Sequence, residues 1–145
     1  MQPKSKLRVF LDSNVIFSGL HSSSGAPGAI LEYFTEGKLE VVISQQVLEE
    51  VVRTVKEKLP EALPTLRRLL MSAPPEVSND PAIEEVTPWA RLMNTEDAAI
   101  LAAAIAAQPD CLITGDKHFL GNPVISEKSG LHIVSPAQFL EHFIL

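Results

Sequence analysis

Short apolar segments alternate along this chain with longer stretches of helical periodicity, and this alternation restricts the possible folds more than any other feature. The first segment, Leu7–Leu11, is rich in strand-forming residues and ends at Asp12. Further segments of this kind are residues 39–43, 111–114 and 131–134. Strands that alternate with helices pair in parallel through crossover connections. We therefore expect residues 1–145 to form one α/β domain, a three-layer α/β/α sandwich around a parallel sheet.

Between the strands, the pattern predicts helices and several irregular connections. The predicted helices cover residues 29–36, 45–59, 64–71 and 96–107, with another from Ile83 that Pro88 ends and a last one that begins at Pro136. Ser44 is the expected N-cap of the helix over 45–59. Segments rich in Gly, Pro, Ser or Asn are predicted to be a flexible loop over 21–28, a turn-rich stretch with a short edge strand over 73–81, and a loop over 121–130.

The composition is that of an ordinary soluble globular protein, since 46% of the residues are hydrophobic and 21% are charged. The single cysteine, Cys111, excludes an intrachain disulfide framework, and its apolar surroundings predict burial. No segment approaches the ~20 apolar residues of a membrane span. Residues 1–4 leave no room for a secretory signal before the first strand. We therefore expect a cytoplasmic protein with no membrane partner.

Two aspartates follow predicted strands: Asp12 after the first, and Asp116 after the segment 111–114. Because the carboxyl ends of parallel strands meet at one edge of a sheet, where such folds bind ligands, we expect these two side chains to share a site. Each one alone could instead serve only to cap a turn. The formal net charge of −6 argues against a general nucleic-acid coat, but it is compatible with carboxylates gathered around cations.

A third aspartate, Asp97, lies on the apolar face of its predicted helix. It precedes Ile100, Leu101 and Ala104 at the spacing of one helix face. A buried carboxylate is costly unless it is paired or bound to a metal ion. The alternative is that Asp97 only satisfies free amides in the first turn. The adjacent Glu96 points away from the apolar face.

Periodicity alone does not separate Glu49 from Glu50. Both lie about equally far from the centre of the apolar stripe on the predicted helix 45–59, and either could be a solvated flank. Carboxylate oxygens suit Mg²⁺ or Mn²⁺, which can activate a bound water and neutralise charge on a phosphate. The sequence offers no Gly-rich phosphate loop and no pair of histidines at metal-binding spacing. Surface or structural roles are expected for most of its histidines, which are His21, His118, His132 and His142.

Several motifs resemble those of PIN-domain ribonucleases. Residues 9–15, VFLDSNV, resemble the opening motif of that family, an apolar strand ending in Asp-Thr-Asn, with Ser13 in place of the threonine. Ser44 followed six residues later by Glu50 is similar to the second motif, and this resemblance selects Glu50 over Glu49. The third, fourth and closing motifs resemble residues 97–104, DAAILAAA, residues 112–120, LITGDKHFL, and residues 134–140, VSPAQFL.

The resemblance extends over nearly the whole chain and implies both a fold and a site. It implies five parallel strands in the order 3-2-1-4-5. It also implies a catalytic set that binds Mg²⁺ or Mn²⁺ and cuts single-stranded RNA, with supporting residues from the same motifs. The catalytic set would be Asp12, Glu50, Asp97 and Asp116, and the supporting residues Ser13, Asn14 and Thr114. Many relatives are the toxin half of a toxin–antitoxin pair and form homodimers, so a cognate antitoxin and a homodimer are expected partners.

An acidic protein needs local positive potential to hold a polyanion. Lys117 and His118 directly follow Asp116, where a phosphate backbone would approach the metal ions, and we expect them to contact RNA. Arg53 and Lys56, on the helix that carries Glu50, are second candidates for RNA binding. For each of these residues the alternative is ordinary solvated surface charge.

Two other functions are compatible with parts of this pattern. A haloacid-dehalogenase-like phosphatase would use Asp12 as a nucleophile, but that class has a second Asp where this chain has Asn14. It also has another acid shortly after the position of Asp116, where this chain has Phe119, Leu120 and Gly121. The second alternative is a non-catalytic binding module that keeps the fold and has lost the activity.

Overall fold

Five parallel strands form the central sheet of the computed structural model, which describes residues 6–144. The strands are β1 (Leu7–Leu11), β2 (Leu39–Ser44), β3 (Glu76–Ser78), β4 (Cys111–Ile113) and β5 (Ile133–Val134). Their order across the sheet is β3-β2-β1-β4-β5, and every neighbouring pair is parallel. The expected α/β class and the 3-2-1-4-5 order are confirmed. The expectation drawn from residues 1–4 concerns a segment outside the described residues.

Helices connect the strands and flank the sheet. In the first half of the chain they are α1 (Ser13–His21), α2 (Ala26–Thr35), α3 (Gln45–Lys58), a 3-10 turn (Pro60–Ala62) and α4 (Leu63–Ser72). In the second half they are α5 (Ile83–Ala90), α6 (Thr95–Ala107), α7 (Lys117–Leu120), α8 (Pro123–Ser129) and α9 (Pro136–Phe139), followed by a π-helical turn (Leu140–Ile144). Within residues 6–144, no helix combines the length and the apolar character that crossing a membrane would require.

The central strands β1 and β4 are buried on both faces. Val9, Phe10 and Leu11 and all of β4 are at most 1% exposed. Continuous apolar runs of this kind are typical of parallel strands covered by helices on both sides. Cys111 is buried as predicted, and this burial raises the pKa of its thiol to about 12. The rigid ends of β1 and β4 therefore provide fixed positions for the polar residues that follow them.

The rotation of α3 is set by its cap and by its apolar stripe. The Ser44 hydroxyl accepts a hydrogen bond from the Val47 amide at 3.3 Å, which confirms the predicted N-cap. Val47, Val51 and Val55 are buried at a spacing of one helical turn. Because this stripe packs into the core, Glu50 is held at its border in the first half of the helix.

The prediction that Pro88 ends a helix is wrong, because α5 continues through this residue. Proline lacks the N–H that would bond to the carbonyl of Glu84, but Glu84 is exposed, so water can satisfy that carbonyl. Packing of Val86 against Ala98 and Ala102 of α6 stabilises the helix on its other side. Tertiary contact therefore outweighs the local cost of the proline.

Two of the predicted loops contain helix. Most of the segment 121–130 is α8, which Asn122 caps at its start and Gly130 ends in the left-handed region with φ 71°. Within the segment 21–28, helix α2 already begins at Ala26. In both segments, proline and glycine lie at the ends of helices and do not indicate that the whole segment is a loop. The other predicted helices and the predicted edge strand, β3, are confirmed.

Candidate metal centre

Asp12 lies at the carboxyl end of β1 and caps α1, a helix that sequence analysis had not predicted. Its Oδ1 accepts a hydrogen bond from the Ser13 amide at 2.8 Å. Its Oδ2 accepts from Asn14 Nδ2 at 3.1 Å and from Thr114 Oγ1 at 2.8 Å. The residue is 3% exposed, so its carboxylate is both buried and fixed in orientation.

Burial raises the pKa of Asp12 from its ordinary 3.8 to about 6. The hydrogen bonds from Thr114 and Ser13 lower this pKa, whereas the negative charges of Glu50 and Asp116 raise it. A carboxylate in such surroundings is costly to ionise alone and becomes favourable to ionise beside a cation. The electrostatics at Asp12 are therefore those of a site that lacks positive charge.

Glu50 and Glu49 have different surroundings. Glu50 Oε2 accepts a hydrogen bond from Ser13 Oγ at 2.9 Å, and its Oε1 accepts from Gln46 Nε2 at 3.2 Å. Glu49 is exposed, and its side chain accepts a hydrogen bond within its own helix, from Gln45 Nε2 at 3.2 Å. Ser13 thus connects Glu50 to Asp12, because its hydroxyl donates to Glu50 and its amide donates to Asp12. Within residues 6–144, Glu49 has no such connection.

Asp97 and Asp116 come together with His118 at the start of α6 and α7. One ligand atom from each of the three residues lies within 4.8 Å of the other two. His118 Nδ1 is 3.2 Å from Asp97 Oδ2 and 3.5 Å from Asp116 Oδ1. Asp12 is not a member of this group, and its oxygens accept hydrogen bonds from Ser13, Asn14 and Thr114.

Thr114 and Asn14 tie the end of β4 to the end of β1. Thr114 Oγ1 donates to Asp12 and accepts a hydrogen bond from the Asp116 amide at 3.0 Å. Asn14 donates to Asp12, and its Oδ1 accepts from the Gly115 amide at 2.8 Å. A Cβ on Gly115 would lie 3.3 Å from Asn14 Oδ1, so the backbone needs to pass close to this side chain. Both side chains therefore hold the two acidic strand ends in register.

Among the residues that the structure describes, His118 is the one cationic side-chain partner of the acidic groups at this edge. Within residues 6–144, neither lysine nor arginine forms an ion pair with Asp12, Glu50, Asp97 or Asp116. Clustered carboxylates repel one another when nothing neutralises them. The oxygens of Asp97 and Asp116, which lie with a His118 nitrogen within 4.8 Å of one another, suit a small divalent cation such as Mg²⁺ or Mn²⁺. The donor set therefore fits the metal that the sequence analysis expects.

The predicted RNA-binding residues do not all lie beside the acids. Lys117 is exposed beside Asp116 in the first turn of α7. Arg53 and Lys56 are exposed further along α3, where they line a separate groove together with Glu49. The structure therefore brings Lys117 to the acidic edge but leaves the two α3 cations outside it. His118, the other RNA-binding candidate on α7, is exposed as well, and its Nδ1 faces Asp97 and Asp116.

Two further polar residues, Asn94 and Gln46, lie beside the acids although no sequence motif predicted them. Asn94 caps α6, and its Nδ2 donates to Asp97 Oδ2 at 2.8 Å. Gln46 Nε2 donates both to Glu50 and to the Glu96 carbonyl, which connects α3 with α6. The position of Asn94 three residues before Asp97 is a capping signal that could have identified it. The spacing of four residues between Gln46 and Glu50 is also a local signal, whereas the contact of Gln46 with α6 has none, because Glu96 is distant in sequence.

A family model described as PIN domain matches residues 8–118, which is more than half of the chain. The chain belongs to the PIN-domain family. The matched region contains the four acids from Asp12 to Asp116. The family resemblance of the sequence motifs is therefore confirmed. PIN domains are in general nucleases, and membership places this PIN domain in that class of hydrolases.

Three individual proteins are similar to this chain, one in sequence and two in fold. The uncharacterised protein MJ1680 of Methanocaldococcus jannaschii is 27% identical, over 97% of this chain and 94% of its own length. The crystal structure of PAE2754 from Pyrobaculum aerophilum has a TM-score of 0.66 at 15% identity and covers 93% of this chain and 88% of that one. The crystal structure of VapBC2 from Rickettsia felis, bound to a DNA fragment from the VapBC2 promoter, has a TM-score of 0.64 at 18% identity. It covers 89% of this chain and 98% of that one. At these identities the two solved structures show a shared fold.

Proposed function

We propose that this PIN domain is a metal-dependent endoribonuclease that hydrolyses phosphodiester bonds of single-stranded RNA. The observation that carries the proposal is the convergence of carboxylates at one edge of the sheet with no lysine or arginine paired to them within residues 6–144. Oxygen-rich sites of this kind hold Mg²⁺ or Mn²⁺. The residues that would hold the metal are Asp12, Glu50, Asp97 and Asp116.

The four acids fall into two pairs with different roles in this proposal. When bound, a divalent cation lowers the pKa of a coordinated water and neutralises charge on the phosphate. Asp97 and Asp116 have side chains that are 14% and 30% exposed, so a cation and a substrate phosphate can reach them from solvent. Asp12 and Glu50 add negative charge and are held in place by Ser13. Because these hydrogen bonds exist before substrate binds, little reorganisation is needed during the reaction.

The RNA strand would cross the carboxyl edge of the sheet. A groove of about 500 Å³ opens beside Asp116, and its walls include Asn14, Gly115 and Ser135. We place one side of the strand in this groove and its phosphates near Lys117, which would supply the local positive potential that a protein of net charge −6 needs. Arg53 and Lys56 would contact the strand only further from the acids. If Lys117→Ala leaves both RNA affinity and its salt dependence unchanged, this contact is wrong.

We further propose that the protein is the toxin of a toxin–antitoxin pair and forms a homodimer. The family resemblance of the motifs and the fold shared with VapBC2 support this proposal. A small antitoxin encoded directly upstream should then co-purify with the chain and suppress RNA cleavage. Light scattering of the purified chain should give the mass of a dimer. A monomer with no small protein partner would contradict this part of the proposal.

Cleavage of a labelled single-stranded RNA by wild type and by Asp116→Asn tests the nuclease assignment. Wild type should cut in Mn²⁺ or Mg²⁺ and stop when EDTA is added. Asp116→Asn should be slower by on the order of a hundredfold, because an electrostatic contribution to the transition state is lost. Glu127→Gln, at an exposed position of α8, is the control and should match wild type.

The alternative functions give different results in the same assay. Hydrolysis of a small phosphomonoester without RNA cleavage would indicate a phosphatase, although the family match favours a nuclease. Failure to bind metal or cut any RNA would indicate a non-catalytic binding module. Cleavage of RNA that persists in EDTA would contradict the metal-dependent reaction.

A further inference from the structure

His118 faces two of the acids that would hold the metal. Its Nδ1 lies 3.2 Å from Asp97 Oδ2 and 3.5 Å from Asp116 Oδ1, and one ligand atom from each residue lies within 4.8 Å of the other two. These distances place an imidazole nitrogen and two carboxylate oxygens around one small volume. Oxygen and nitrogen atoms in that arrangement are able to coordinate the same ion.

The local backbone fixes the position of His118. Asp116 caps α7, and its Oδ1 accepts a hydrogen bond from the His118 amide at 2.8 Å. The cap brings the second residue of the helix back towards the aspartate that precedes it. Phe119, the next residue, is 1% exposed and anchors the short helix in the core. The ring of His118 is therefore directed at the acids by a backbone that packing holds in place.

Hydrophobic packing does not explain the orientation of the ring. The His118 side chain is 69% exposed, and within residues 6–144 its polar contacts are with Asp97 and Asp116. A simple exposed ion pair would contribute little to stability. The useful property of the ring in this position is its Nδ1, which lies beside Asp97 and Asp116.

We propose that His118 is a nitrogen ligand of the cation held by Asp97 and Asp116, and that the centre consequently prefers Mn²⁺ over Mg²⁺. The inference rests on the proposed function, since it concerns the metal of the same site. Mg²⁺ is a hard ion that takes oxygen ligands and retains several waters. An imidazole nitrogen favours first-row transition ions, whereas carboxylates alone accept both kinds of ion. His118 therefore determines which metal binds, in addition to any contact with RNA.

Metal titrations of the intact protein test the inference without relying on activity. Mn²⁺ and Mg²⁺ affinities would be measured by calorimetry for wild type, His118→Gln and His142→Gln. His142, exposed in the C-terminal turn, is the matched control. His118→Gln should weaken Mn²⁺ binding by roughly tenfold or more, since even residues that only orient metal ligands have effects of this size. Mg²⁺ binding should change much less, and the control should match wild type.

Spin-echo spectroscopy of bound Mn²⁺ gives a direct second readout. A nitrogen coupling should be present in wild type and in His142→Gln and absent in His118→Gln. Absence of this coupling in wild type, or equal weakening of both metals in His118→Gln, would overturn the inference and leave the nuclease proposal intact. If wild type bound neither ion, the metal-dependent function itself would fail. Because His118 is exposed, the variant is expected to fold.

Discussion

The parallel strands have an amino-terminal edge and a carboxyl-terminal edge, and the two edges differ in whether negative charge is paired with lysine or arginine within residues 6–144. At the amino-terminal edge, the Arg8 guanidinium on β1 lies 2.5 Å from Glu40 Oε1 on β2 and 3.1 Å from Glu76 Oε1 on β3. At the carboxyl edge, the acids that follow β1 and β4 have no lysine or arginine partner within residues 6–144. The same parallel sheet thus ends in compensated charge on one side and uncompensated charge on the other.

The pKa shifts of the charged groups differ between the two edges in the same way. The hydrogen bond with Arg8 lowers the pKa of Glu76, and Glu76 in turn raises the pKa of Arg8. At the opposite edge, burial raises the pKa of Asp12 to about 6 and the charges of Glu50 and Asp116 add to the effect. Charge at the amino-terminal edge is therefore satisfied within the chain. Charge at the carboxyl edge remains available for an external cation.

The largest expected effect separates two adjacent glutamates on α3. Glu50→Gln keeps the shape of the side chain but removes a charge that is hydrogen-bonded to Ser13, and RNA cleavage should fall by on the order of a hundredfold or more. Glu49→Gln should remain near wild type in rate and within about 0.5 kcal/mol in stability, as expected for an exposed residue. Single-turnover cleavage in Mn²⁺ by both variants measures the difference. Equal losses, or a larger loss at Glu49, would remove Glu50 from the site.

The second prediction concerns stability at the carboxyl edge without metal. Because folding raises the pKa of Asp12 from 3.8 to about 6, its contribution to stability is fully present below about pH 4 and is lost as the pH rises through 6. Relative to Asp12→Asn, metal-free wild type should lose on the order of 3 kcal/mol between pH 4 and pH 7. Urea unfolding of both proteins in EDTA across this range measures the loss. Parallel pH profiles would show that Asp12 ionises normally in the folded protein.

The smallest expected effect lies at the amino-terminal edge. Glu76→Gln removes one exposed partner of Arg8 and should lower the free energy of unfolding by at most about 1 kcal/mol. Mn²⁺ should raise the melting temperature of this variant as much as that of wild type, because binding to the native state occurs at the other edge. Calorimetric melting with and without millimolar Mn²⁺ tests both statements. A reduced metal shift in Glu76→Gln would mean that the two edges are not independent.

Much of the fold could be predicted because local patterns and tertiary packing agree in this chain. The apolar run of β1, the cap at Ser44 and the helix that begins near Asp97 each carry a sequence signal that the structure confirms. Predictions failed where a local signal had two meanings. Proline and glycine between residues 121 and 130 mark the two ends of α8, and Pro88 is tolerated because α5 packs on α6.

The sequence by itself determined the strands, the parallel topology and the aspartates at the carboxyl ends of β1 and β4. These features depend on residue type and on spacings within a few residues along the chain, which can be read directly. Only the tertiary structure decided which neighbours each acid has. Ser13 and Glu50 are 37 residues apart in sequence, and Asp97 and His118 are 21 apart. Contacts over such separations depend on how helices pack on the sheet, so no local pattern contains them.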